Sequence, residues 1–115
     1  MEIIGASCSK SFAVRVLKLV DVLPKSASGR AIANQLSRSG TSVGANYRVA
    51  RRSRSKKEFI AKLGIVVEEV DETVYWLELV IETGMVSKPK VSRLLDEAEQ
   101  LTKIFAKART TARDN

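Results

Sequence analysis

The chain has no histidine and a single cysteine in 115 residues. Lack of histidine removes the commonest general acid–base and the commonest metal ligand. It also removes the Glu-x-x-His pairs by which di-iron helix bundles hold their metals. Zinc would have to be held by carboxylates and Cys8 alone, a poor donor set. One cysteine excludes an intrachain disulfide, and Cys8 reads as an ordinary packing or chain-end thiol. Two prolines and six glycines are too few to turn the many short strands of an all-β fold. No apolar run approaches the roughly 18 residues of a membrane span. The first residues, MEIIGASCSKSFAVRV, lack the charged start, apolar middle and small-residue cleavage site of a signal peptide. The expected location is therefore the cytoplasm. No Gly-rich phosphate loop of the G-x-x-x-x-G-K-[ST] type occurs. The absences point to binding without catalysis: no enzyme, no cofactor, no metal and no catalytic residue are expected.

What is present is charge, unevenly spread. Residues 1–57 carry 12 Lys/Arg against 2 Asp/Glu, a net of +10, whereas residues 58–115 carry 8 against 11, a net of −3. The densest stretch is Arg48, Arg51, Arg52, Arg54, Lys56 and Lys57. It is followed at once by Glu68, Glu69, Asp71, Glu72, Glu78 and Glu82. A basic half joined to an acidic half binds polyanions, binds copies of itself, or does both.

Apolar spacing is helical throughout. Phe12, Val16, Leu19 and Leu23 define a first helix, about 9–24, which Pro24 stops. Ser28 is a candidate N-cap for a second helix, about 29–53, with Ile32, Leu36, Val43, Tyr47 and Ala50 on one face. Gly40 and Gly44 fall inside it. The pattern continues on both sides of them, which favours an unbroken helix with a small-residue stripe where another backbone comes close. Ser55-Lys56-Lys57-Glu58 fits a capping box and opens a third helix, about 56–83. Its seam is Phe59, Leu63, Val66, Val70, Val74, Leu77 and Ile81, and Gly84 ends it. At 1.5 Å per residue this helix is a rod of roughly 45 Å. A fourth, about 90–109, carries Val91, Leu94, Leu95, Ala98, Leu101, Ile104 and Phe105, with a frayed polar tail from Thr110. Four helices on short connections predict a single all-α domain, an up-down-up-down antiparallel four-helix bundle. The third helix has apolar residues to spare (Ile60, Ile65, Val67, Tyr75, Trp76 and Val80), which suggests contact with another subunit.

Three ordered motifs carry a resemblance. They are Arg38-Ser39-Gly40-Thr41-Ser42-Val43-Gly44-Ala45-Asn46-Tyr47-Arg48, then Ser55-Lys56-Lys57-Glu58-Phe59-Ile60-Ala61-Lys62-Leu63, then Asp71-Glu72-Thr73 with Tyr75-Trp76-Leu77-Glu78-Leu79. Leu23-Pro24, Gln35-Leu36 and Glu97-Ala98 also fit. Together they resemble, over nearly the whole chain, the bacterial four-helix-bundle proteins encoded in intervening sequences of 23S ribosomal RNA. The resemblance implies a homopentamer without known catalytic activity. The accessory variability determinant of diversity-generating retroelements is similar as well, and implies a basic pentamer that engages a reverse transcriptase and nucleic acid. Two positions depart from the pattern: Val49 stands where the family usually has glutamate, and Glu68 and Val70 stand where Lys and Ala are frequent.

Each candidate has an alternative reading. Arg48, Arg51, Arg52, Arg54, Lys56 and Lys57 form a phosphate-binding patch, or else pair with the acidic third helix of their own or a neighbouring subunit. Tyr47 and Phe59 flank the patch but lie on apolar faces, which favours backbone tracking over base stacking. Glu68, Glu69, Asp71 and Glu72 could pose as acid–base or metal-binding carboxylates, but without histidine ion pairing is the better reading. Glu69, Glu72, Tyr75 and Trp76 are expected to be structural or to lie at a subunit interface. Asn46 and Tyr47 are expected to be structural, Asn46 by hydrogen-bonding across helices or capping a kink. The expected partners are further copies of the chain and nucleic acid. The alternative is an adaptor role, for example for a reverse transcriptase, with the charges serving assembly.

Overall fold

The computed structural model describes residues 2–115, with side chains described from Cys8 onward. It contains four helices: α1 (Glu2–Val22), α2 (Ala27–Arg51), α3 (Lys56–Thr83) and α4 (Lys88–Asp114). Each connection is four residues long, too short for anything but antiparallel neighbours. Cross-helix contacts agree. Ser9 lies against Gly44 and, further along α1, Val16 lies against Gly40, so the two helices run in opposite directions. Arg38 of α2 reaches Glu69 and Glu72 of α3, Arg109 of α4 reaches Ile60 of α3, and Arg15 of α1 pairs with Glu97 of α4. Among the described residues the backbones of the diagonal pairs α1–α3 and α2–α4 stay apart, though core side chains such as Tyr47 and Phe105 meet across the axis, so the helices form a ring in chain order. The bundle measures 47 × 21 × 19 Å, its long axis matching the rod expected for α3.

Sequence explains the helix ends. Ser55 Oγ accepts from the Glu58 amide at 3.1 Å and opens α3. Gly84 closes α3 with φ 68°, its amide bonding to the Ile81 carbonyl while the Met85 amide bonds to Val80. This pair of bonds is a Schellman motif. The N-cap of α2 is Ser26, not Ser28: its Oγ accepts from the Gly29 amide at 3.1 Å. The turn after Pro24 is tight enough to exclude a side chain at position 29, where a Cβ would stand 2.0 Å from the Pro24 carbonyl oxygen. Helix α1 begins at Glu2 rather than near residue 9. No proline interrupts residues 2–9, and one internal glycine costs only about 1 kcal/mol. Helix α4 continues to Asp114 instead of fraying at Thr110, since Ala106, Ala108, Arg109, Ala112 and Arg113 are strong helix formers.

Helix α2 runs unbroken through Gly40 and Gly44. The close approach there is with α1: a Cβ on Gly40 would lie 2.7 Å from Val16 Cγ1, and one on Gly44 would touch Ser9 Oγ and backbone at 3.4–3.7 Å. The apolar positions expected on α1 and α2 are all buried. So are Val91, Leu94, Ala98, Leu101 and Phe105 of α4, with Leu95 and Ile104 half-buried at its edges. On α3 the seam is Leu63, Val66, Val70, Thr73, Leu77 and Val80, so Thr73 and Val80 replace the expected Val74 and Ile81. Those two and Phe59 are half-buried. The observed steps alternate strictly between three and four residues, the heptad spacing of helices that pack side by side in a bundle. Thr73 enters the core because its hydroxyl is satisfied there, 2.8 Å from the Glu69 carbonyl and 2.9 Å from buried Ser39 Oγ.

Candidate nucleic-acid interface

The basic stretch occupies one end of the bundle. It spans the last turn of α2, the connection 52–55 and the first turn of α3. Arg48, Arg51, Arg52, Arg54, Lys56 and Lys57 are all exposed, and none forms an ion pair among the described residues. Arg51 lies over the Tyr47 ring, 6.0 Å from its centroid. The alternative reading, intrachain pairing of this stretch with α3, finds no ion pair among the described residues. Arg48 and Arg51 sit at the negative end of the α2 dipole, a favourable place. Lys56 and Lys57 sit in the first turn of α3, at the positive end of its dipole, where cations are disfavoured by several tenths of a kcal/mol. Only Glu58 of that turn opposes them.

Antiparallel packing brings a second basic segment to the same end. Lys103, Lys107, Arg109 and Arg113 lie on the last turns of α4, and Lys103, Lys107 and Arg113 are exposed. Arg109 is half-buried: its Nε donates to the Ile60 carbonyl at 3.2 Å, and its guanidinium crosses Gly64, where a Cβ would approach it to 3.3 Å. These four residues do not stand out in sequence, because they lie well beyond the acidic segment and are diluted by alanine and threonine. Their signal is positional, since an even number of antiparallel helices returns the C-terminus to the end from which α2 turns into α3. Residues 48–58 and 103–114 together hold ten cations against two carboxylates, Glu58 and Asp114, a net of +8. The charge split along the sequence is thus not a split in space. Lys18, Lys25 and Arg30 of the basic half lie at the opposite end of the bundle.

The aromatic residues of the basic end face inward. Tyr47 and Phe105 are buried with ring centroids 4.9 Å apart, and Phe59 is half-buried. Asn46 is half-buried and donates to the Ser42 carbonyl one turn back in its own helix at 2.8 Å, not across to a neighbour. Together with Ser42 Oγ on the Arg38 carbonyl, it ties the middle of α2 to its own backbone.

The acidic residues form a different feature halfway along the bundle. The Arg38 guanidinium bridges Glu69, at 3.2 Å, and Glu72, and the Trp76 indole donates to Glu72 Oε2 at 3.2 Å. Tyr75 packs edge-on against Trp76, centroids 5.0 Å apart, while remaining 54% exposed. The cluster fastens α2 to α3 on their outer flank. Because Arg38 is half in water, the pairing contributes at most about 1 kcal/mol. Val49 is exposed and takes no part in it. Among the described residues no three His, Cys, Asp or Glu side chains gather as a metal site, and no helix is long and apolar enough to cross a membrane. A half-open groove of about 300 Å³ between α1 and α4 is lined by Cys8, Ser11, Arg15, Glu97, Gln100, Leu101 and Ile104. Its two charged residues are paired with each other.

This fold and these motifs have relatives. A comparison with functionally curated proteins finds no match. Among solved structures, a protein of unknown function from the S23 ribosomal protein family of Bacteroides thetaiotaomicron superposes with a TM-score of 0.89 at 32% sequence identity, covering 95% of this chain and 97% of that one. The family model described as 23S rRNA-intervening sequence protein matches residues 2–107, the whole bundle but for the last turns of α4. Over that length, with the motifs of α2 and α3 in order and the four-helix fold shared, the chain belongs to the 23S rRNA-intervening sequence protein family.

Proposed function

We propose that this protein is a non-enzymatic, cytoplasmic, oligomeric binder of nucleic acid that engages the phosphate backbone through the basic end of its bundle. The observation that carries this reading is the set of exposed cations at the α2–α3 turn, none of them neutralised by a carboxylate among the described residues. Two lysines on the wrong end of a helix dipole are a local cost that a bound polyanion would offset. Arginines and lysines of this kind displace counterions and give affinity with little base preference. Assembly would strengthen the effect. Five copies, the number implied by the family resemblance, would carry +35 formal charge.

The test is fluorescence anisotropy of a labelled RNA titrated with the protein over a range of salt. Affinity should fall linearly in log salt. Arg52→Glu/Arg54→Glu, which alters two exposed side chains that form no ion pair among the described residues, should weaken binding at least tenfold at low salt. Unchanged binding by that variant would refute the assignment.

Exposed apolar side chains support the oligomeric part of the reading and give the adaptor alternative its footing. Val14 and Leu17 are 47% and 42% exposed on α1. Val49, Ile65 and Tyr75 are 47%, 39% and 54% exposed on α2 and α3. Helices α1 and α3 are diagonal, so the two patches lie on different sides of the bundle. Two unlike patches suit a heterologous contact, the kind that closes into a ring. If the charges serve assembly instead, a protein such as a reverse transcriptase would take the place of nucleic acid, and the salt titration would show no binding.

A further inference from the structure

We infer that the nucleic-acid surface is made of two segments far apart in sequence, the α2–α3 turn and the last turns of α4, and that it takes a duplex rather than a single strand. This rests on the nucleic-acid reading above and extends it to residues and to a ligand form.

The geometry supplies the first part. Helices α2 and α4 are diagonal in the bundle, so their cations flank the same end from opposite corners. Lys103, Lys107 and Arg113 are exposed and unpaired among the described residues. Arg109 is held against α3 by the Ile60 carbonyl, over the space that Gly64 leaves open. A glycine at this position lets the guanidinium settle close to the α3 backbone, so the two helices share a cation at their junction.

Size and surface chemistry supply the second part. The bundle is 21 × 19 Å in cross-section. A duplex carries one charge per about 1.7 Å of axis, so about a dozen phosphates fall within 21 Å. Nine of the ten cations of the two segments are exposed, a number of the same order as that count. A single strand carries its charges at half that density and is commonly held by aromatic rings stacked on its bases. Tyr47 and Phe105 are buried and Phe59 is half-buried, so this end offers cations without a stacking platform.

The experiment compares a blunt duplex of about 20 base pairs, as RNA and as DNA, with single strands of the same sequence. The ligands are titrated by anisotropy with the full chain and with Lys103→Glu/Lys107→Glu. A milder Lys103→Gln/Lys107→Gln variant and a far-UV circular dichroism melt guard against loss of fold. The expected results are at least tenfold tighter binding of a duplex than of either single strand, at least tenfold weaker duplex binding by the glutamate variant, and a log–log salt slope smaller by about two in the glutamine variant. The RNA and DNA arms tell which duplex is preferred. Wild-type binding that neither α4 variant alters overturns the two-segment surface and leaves the proposed function standing. Wild-type preference for single strands overturns the duplex assignment. Wild-type failure to bind any of the four nucleic acids overturns this inference and the proposed function together.

Discussion

Gly40 lets α1 lie so close that any side chain there would enter the Val16 methyl groups. Gly40→Ala should therefore destabilise the bundle by about 1–3 kcal/mol despite alanine's better helix propensity, because the core would have to shift to accept one methyl. Pairing it with Val16→Ala should recover part of that loss, giving a coupling of about 0.5–3 kcal/mol between two residues in contact. Chemical denaturation of the four chains of the cycle measures it, and additive losses would mean the contact is not as close as described. The single-residue features also mark where sequence reading stopped. That Gly40 and Gly44 make a close approach could be read from their spacing. That Thr73 is core could not, because its acceptability depends on Ser39 and on a carbonyl of its own helix, neither of which is visible in a hydropathy pattern.

The helices themselves were legible because each has both a period and punctuation. For α3 the signals agree: a serine three residues before a glutamate, 28 residues of heptad-like spacing, then a glycine. Ser55→Ala should cost about 1 kcal/mol by leaving the Glu58 amide without its acceptor, read as a lower denaturation midpoint at unchanged m-value. No change would place the start of α3 elsewhere. Helix ends without such signals were misjudged. Of the two serines after Pro24, Ser26 rather than Ser28 caps α2, its Oγ accepting from the Gly29 amide, a bond that only the folded turn shows. The far end of α4 looked polar and therefore loose, yet its alanines and arginines carry the helix five residues further. The added turn brings Arg113 to the candidate site, beside Lys103, Lys107 and Arg109 of the expected helix. The turn segment was visible as a cluster in sequence. The α4 segment becomes visible only after the helices are folded against one another.

At the scale of the molecule, charge and apolar surface are unevenly spread. Half of the twenty cations lie at one end, Glu69 and Glu72 on the α2–α3 flank, and exposed apolar groups on α1 and, with Tyr75, beside that acidic cluster. If the apolar patches are halves of a ring contact, Leu17→Glu and Tyr75→Glu should each reduce the oligomer to monomers, because either change places a charge in a buried contact. Light scattering coupled to size exclusion reads this directly, and a monomeric wild type at micromolar concentration would sink the ring. The two singly mutated chains should also fail to rescue each other fully when mixed, since each keeps only one sound patch and a closed ring needs both on every member.

The antiparallel course of four helices has a topological consequence. With an even number of passes, residues 2 and 114 emerge beside the 52–55 connection, and the connections 23–26 and 84–87 lie together at the other pole. The chain is therefore nearly a closed loop, and a short linker between its first and last turns would complete it. Cutting the loop at 84–87 would yield a circular permutant with the same four helices and the same neighbours. In such a chain the region around 52–55 would be crossed by continuous backbone on every side, and any handle for attachment, labelling or surface tethering would sit some 40 Å away along the helices, at about 1.5 Å per residue.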